Sequence, residues 1–190
     1  MKKLFAALCV LLAIAGCEKK EAFTNIDLTG ATYAQGFKLN DHTGKPVTLE
    51  NYKGKVVVMF FGFTQCPDVC PTTMAEMAAV MKELGPQADQ VQVLFATLDP
   101  ERDTKELLAQ YVPNFDARFV GLYGTPEQIK QTATDFKVFY QKVPGKTPDT
   151  YTIDHTAGSY VFYKSGKVRL FLRHGQGPAP IVHDLKLLLS

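Results

Sequence analysis

Residues 56–61 read Val-Val-Val-Met-Phe-Phe, a run of β-branched and aromatic residues with no polar residue at alternate positions. A strand of this composition must be covered on both faces, as in a parallel or mixed sheet between layers of helix. A second run of the same kind, Val91-Gln92-Val93-Leu94-Phe95-Ala96-Thr97-Leu98, follows about thirty residues later. Between them Met74, Met77, Ala78, Met81 and Leu84 recur at helical spacing, and Gly85-Pro86 ends the pattern. Strand, helix and strand in that order predict a right-handed crossover joining two neighbouring parallel strands.

The rest of the chain continues the alternation. A hairpin precedes the central strand, with Phe37-Lys38-Leu39 and Pro46-Val47-Thr48-Leu49 flanking a turn-rich connection. After it come a helix over 104–112, a strand over 119–123, a helix over 126–137 and a further strand over 138–143. Residues 144–149 form a loop by composition, leading into Tyr151-Thr152-Ile153-Asp154-His155. Two strands, 158–163 and 168–172, then surround Ser165-Gly166-Lys167 as an antiparallel hairpin, and a helix over 181–189 closes the chain. Crossover first, hairpin and helix last is the order of a thioredoxin-like domain. The expected fold class is therefore α/β: a central mixed β-sheet flanked by helices, with an N-terminal β-hairpin extension. A length of 190 residues and 46% hydrophobic content suit one such domain, placed over 32–190.

Residues 1–16 stand apart. Lys2 and Lys3, an apolar stretch over 4–12 and a small-residue exit at Ile14-Ala15-Gly16 form an export signal ahead of Cys17. The run Ile-Ala-Gly-Cys resembles the bacterial lipobox, which makes Cys17 the lipid anchor and 17–31 a polar tether. The stretch is too short for a spanning helix, which needs about 20 apolar residues. Loss of Lys2 and Lys3 with the leader removes the whole of the formal +2 charge, and no Lys/Arg cluster interleaved with aromatics remains to suggest nucleic-acid binding. The expected location is extracytoplasmic or periplasmic, with the domain held at a membrane.

With Cys9 in the leader and Cys17 lipidated, Cys66 and Cys70 are the cysteines left to the domain, in Gly62-Phe63-Thr64-Gln65-Cys66-Pro67-Asp68-Val69-Cys70-Pro71. A proline after each disfavours α backbone, which predicts an open loop. Pro71 suits the first helical position, so Cys70 is expected as the N-cap, with the helix dipole favouring its thiolate. A disulfide closing five residues restrains little of the unfolded chain, so a chemical role is the better reading. Two soft thiolates and one imidazole suit Cu(I). Spacing does not choose among the histidines. His155, with Asp154 in the loop ahead of a predicted core strand, is favoured because α/β sheets place sites at strand ends.

These stretches, together with Leu98-Asp99-Pro100-Glu101-Arg102-Asp103-Thr104 and Ile153-Asp154-His155-Thr156, resemble the three signature segments of the SCO/SenC family, in order, over 32–190. The resemblance implies a membrane-tethered, thioredoxin-like metallochaperone that delivers copper to the binuclear copper site of cytochrome c oxidase, with no turnover chemistry. It implies Cys66, Cys70 and His155 as ligands. Implied partners are the copper-accepting oxidase subunit and a further periplasmic copper chaperone. Gln65 stands where many members place a histidine or another polar residue. One Cu(I) on two thiolates carries net negative charge, which N–H groups of the following helix could offset. Asp68, Asp154 and Asp99 are expected around the ligands, where Asp68 and Asp154 would favour Cu(II) or a protonated His155.

Plainer readings cover the remaining signals. Met74, Met77 and Met81 are expected in the core, His42 in a solvated turn, His183 partly buried on its helix, and Lys137, Lys142 and Lys146 on a solvated face, while Asp103 reads equally as a helix cap or as a neighbour of the site. A second functional reading is thiol–disulfide exchange that keeps the oxidase copper-site cysteines reduced. The three residues between the cysteines, against two in thioredoxin, weaken it.

Overall fold

The computed structural model describes residues 21–147 and 150–190. The leader, Cys9, Cys17 and the first part of the expected tether lie outside the described residues.

Ten strands form: β1 Ile26–Asp27, β2 Lys38–Asp41, β3 Pro46–Thr48, β4 Val56–Gly62, β5 Val91–Thr97, β6 Val120–Tyr123, β7 Tyr140–Pro144, β8 Tyr151–His155, β9 Ser159–Phe162 and β10 Val168–Leu172. Eight of them make one mixed sheet in the order β1-β10-β9-β4-β5-β6-β2-β3. Strands β4, β5 and β6 are parallel, and the others pair antiparallel. Every residue of β4 and β5 is buried, as their unbroken apolar runs require.

The side chains of β4 alternate between two cores. Val56, Val58 and Phe60 face helix α1 (Val69–Leu84), helix α2 (Lys105–Tyr111) and helix α4 (Pro178–Leu189), meeting Met74, Met77, Met81, Leu108, Ile181 and Leu185. Val57, Met59 and Phe61 face the β2–β3 hairpin and helix α3 (Pro126–Asp135), meeting Phe37, Leu39, Ile129, Ala133 and Phe136. The three methionines are core residues, each at most 2% exposed. Thr125 caps α3 in a reciprocal box with Gln128, and Pro126 opens it.

Three sequence expectations change. Tyr151–His155 is a strand rather than a loop, paired with β7 in a separate two-stranded ribbon that sets Tyr140 opposite His155. The described part of the 17–31 tether is bound to the domain. There β1 pairs with β10, and the buried Asp184 carboxylate accepts hydrogen bonds from the backbone N–H groups of Thr24 and Asn25, from the Thr24 hydroxyl and from the Asn25 side-chain amide. A polar stretch reads as a tether because its partner, Asp184, lies about 160 residues away. Helix α2 is capped by Thr104, whose hydroxyl accepts from the Leu107 N–H, which frees Asp103 for another task.

Candidate metal centre

The carboxyl end of β4 delivers the chain into the cysteine loop, and α1 starts at its far side. Cys66 is half-buried in the loop, Cys70 is fully buried, and His155 arrives half-buried at the end of β8. Their ligand atoms all lie within 4.8 Å of one another. Among the described residues no other group of His, Cys, Asp and Glu side chains converges in this way. Both thiols are free. Cys70 Sγ is 3.5 Å from His155 Nε2, and the Cys70 N–H points to Cys66 Sγ at 3.4 Å.

The imidazole is oriented from behind. Its Nδ1 donates to the Thr156 carbonyl at 2.9 Å, so the neutral ring presents the lone pair of Nε2 to Cys70. Burial between the rings of Phe60 and Phe63, each 6.0 Å away and edge-on, holds the His155 pKa below the ordinary imidazole value. Asp154 raises it, but by less than burial lowers it. A neutral imidazole is the ligand form.

Helix α1 begins earlier than Pro71 suggests. Asp68 is the N-cap residue and Val69 the first helical residue, which places Cys70 inside the first turn instead of at its cap. The Cys70 thiol is pushed up, not down. Burial is the largest cause, and the neighbouring Cys66 adds to it, against a hydrogen bond from the Phe63 backbone. Desolvation outweighs the helix dipole here because the sulfur is inside the core, where a thiolate would lose its hydration.

The SCO1/SenC family profile matches residues 27–190. The chain belongs to the SCO1/SenC family. It is 35% identical over 185 residues to an SCO2-like protein of Rickettsia felis, covering 95% of this chain and 89% of that one. It is also similar to the structure of Bradyrhizobium japonicum ScoI with copper bound, at 40% identity and a TM-score of 0.73, covering 80% of this chain and 96% of that one. The apo Sco1 protein of Thermus thermophilus matches at 38% identity and a TM-score of 0.79, over 91% and 99% of the two chains. The thioredoxin-like α/β fold expected from the sequence is the fold of these neighbours.

In this SCO1/SenC domain the residues around the ligands are arranged differently from the sequence expectation. Asp68 and Asp154 are exposed, and Asp68 accepts from the Thr72 hydroxyl at 3.3 Å. Asp99 is fully buried but turned to Arg102 and to the Tyr151 hydroxyl, so it touches none of the three candidate ligands directly. Asp103 is the carboxylate that fixes the cysteine loop. It accepts from the Thr64 N–H at 3.0 Å and from the hydroxyls of Thr64 and Thr97, each at 2.6 Å. Burial pushes its pKa up, and these three donors offset part of the rise. The sequence leaves capping and a place beside the site equally open for Asp103, because its partner Thr64, which decides between them, is 39 residues away.

Gly62, which opens the cysteine segment, shapes the site. A Cβ on Gly62 would sit 2.8 Å from Cys70 Sγ, so only glycine leaves room for the sulfur at the end of β4. Thr73, one turn beyond Cys70, binds His174 Nδ1 through its hydroxyl at 2.9 Å. The other histidines lie elsewhere: His42 Nδ1 accepts the Gly121 N–H at 2.9 Å rather than standing free in a turn, and His183 pairs with Asp184 and Glu21.

Proposed function

We propose that this SCO1/SenC chain is a copper-binding metallochaperone of cytochrome c oxidase assembly, with Cys66, Cys70 and His155 as the copper ligands. The observation that carries the reading is the convergence of two free thiols and a neutral imidazole, with ligand atoms within 4.8 Å of one another. Two sulfurs and one nitrogen form a soft, low-coordinate set, which favours Cu(I) over harder ions. Copper here is cargo: it arrives, is held, and leaves by ligand exchange to the copper-accepting oxidase subunit. The half-exposed Cys66 is the ligand that an incoming thiol would meet first. The copper-bound ScoI of Bradyrhizobium japonicum, at 40% identity, supports the choice of metal.

Thiol–disulfide exchange is less favoured by the same geometry. Nucleophilic attack needs a thiolate, and burial opposes its formation at Cys70, which leaves Cys70 poorly suited to complete an exchange begun at Cys66. Copper binding supplies its own driving force for deprotonation, since the metal competes directly with the proton.

The chain is read as a leader over 1–16, a lipid on Cys17 and a folded domain beyond it, facing the periplasm or extracytoplasmic side. Among the described residues no helix is long and apolar enough to cross a membrane.

Titrating the reduced protein with Cu(I) against a competing chelator tests the ligand set. Wild type binds one equivalent, Cys66→Ser abolishes tight binding, and His155→Ala weakens it at least about tenfold, the effect of about 1.4 kcal/mol. Undiminished equimolar binding by His155→Ala would refute the histidine assignment, and no binding by wild type would refute the function.

A further inference from the structure

Arg102 touches three separate segments around the metal centre. Its Nε pairs with the buried Asp99 carboxylate. Its Nη1 donates to Gln65 Oε1 in the cysteine loop at 3.1 Å and to the Tyr151 carbonyl at 3.0 Å. The guanidinium carbon lies 3.6 Å from the centre of the Tyr151 ring, a stacked contact. The Tyr151 hydroxyl closes the circuit by donating to the other Asp99 oxygen at 2.7 Å. Nη2 is buried without a partner, a cost that the stack and the ion pair must outweigh.

Tyr151 and His155 are the two ends of β8. This strand is paired only with β7, in a ribbon outside the main sheet, so no neighbouring sheet strand fixes its position. The buried side chain of Ile153 seats its middle, and Lys142 of β7 pairs with Glu101 at 2.6 Å. At the Tyr151 end the strand is held by Arg102 and Asp99. A short extended strand transmits the placement of one end to the other, because its backbone is fully drawn out at about 3.3 Å per residue.

We propose that Arg102 is a positioning residue for the metal centre: clamped between Asp99 and Tyr151, it holds β8 where His155 Nε2 meets Cys70 Sγ. The task needs arginine. Its planar group stacks on a ring and donates in two directions at once, which a lysine ammonium does not do. The inference rests on the reading of His155 as a ligand.

A double-mutant comparison in the full-length reduced protein, in detergent, tests it. Arg102→Lys keeps a positive charge beside Asp99 and loses the stack and the bond to the Tyr151 carbonyl. The expected result is Cu(I) affinity about tenfold weaker in the wild-type background and unchanged in the His155→Ala background, within the range seen when ligand-orienting residues are altered. Equal weakening in both backgrounds would mean that Arg102 does not act through His155 and overturns the proposal. A metal-free readout is the nuclear Overhauser contact between the His155 ring and the Cys70 side chain. Its loss in Arg102→Lys supports the clamp, and its retention overturns it. Wild type that binds no Cu(I) overturns the metal reading alone, and the metal-free contact then decides the clamp. Should Arg102→Lys fail to fold, Tyr151→Leu removes the stacked ring and leaves the Arg102–Asp99 pair, with the same outcomes read in the same way.

Discussion

Adding one methyl group at Gly62 should injure the metal centre more than the fold. The new Cβ in Gly62→Ala would lie 2.8 Å from Cys70 Sγ, 2.8 Å from a Phe60 ring carbon and 3.0 Å from a Phe95 ring carbon. Ordinary contact distances are about 3.5–4.0 Å, so about 1 Å of separation must be recovered. Phe60 and Phe95 are fully buried and packed on each other, with ring centres 6.0 Å apart, and Phe60 also lies against the His155 ring. Whichever neighbour gives way, a ligand or the wall behind a ligand moves. Overpacking of this kind costs about 1–3 kcal/mol, and at about 2–4 °C per kcal/mol for a domain of this size Tm falls by about 2–12 °C. Cu(I) affinity should fall about tenfold or more, as expected when the surroundings of a ligand are displaced. The assays are thermal unfolding of the metal-free reduced protein and Cu(I) competition. Gly124→Ala is the control: its Cβ would meet a Leu39 methyl at 2.9 Å and the Gln128 side chain at Oε1 (2.9 Å) and Cβ (3.1 Å), outside the cysteine–histidine cluster, so it should lower Tm and leave Cu(I) affinity unchanged. Unaltered Tm and affinity in Gly62→Ala would refute the packing argument. Equal loss of affinity in Gly124→Ala would show that general destabilisation, not sulfur displacement, is responsible.

Three other outcomes follow from the same structure. Asp184→Ala removes the acceptor for four donors of Thr24 and Asn25; it should cost about 2–4 kcal/mol in urea unfolding and expose the N-terminal segment to limited proteolysis. Burial holds the folded pKa of His155 below the ordinary imidazole value of about 6.5, so on acidification the unfolded chain takes up this proton before the folded one does. Stability from this group is therefore present above pH 6.5 and is lost as pH falls below it, and urea titrations should show a shallower acid decline in His155→Ala than in wild type. Cys17→Ala should release the protein from membranes into the soluble fraction on cell fractionation, and continued tight association would count against the lipid anchor.

The layered α/β fold was legible because β4 and β5 are buried on both faces and their sequences carry no polar alternation. The helix after the cysteines was legible from its methionine spacing, but its start was misplaced. Pro71 is a strong local signal for a first helical position, yet the chain turns helical at Val69 and sets proline within the first turn, where its missing N–H costs nothing. The ribbon was legible only in part. Its strand β7 reads as a strand by composition, whereas Tyr-Thr-Ile-Asp-His reads equally well as a connection, and its pairing with β7 is a tertiary fact.

The sequence by itself determined the candidate ligands: two thiols in one loop, and a histidine within a segment resembling that of a known family. Only the tertiary structure decided their state and their support. The helix end predicts an activated Cys70, but burial in the core keeps it protonated, because desolvation of a charge exceeds what a helix dipole returns. Asp103 reads equally as a cap or as a neighbour of the site and bolts the cysteine loop through Thr64; Asp99 is expected beside the ligands, yet its carboxylate is taken up by Arg102 and the Tyr151 hydroxyl of β8. A side chain's type and near neighbours are written along the chain. Its solvent exposure and its distant hydrogen-bond partners are set only when segments 39 to 160 residues apart are packed together.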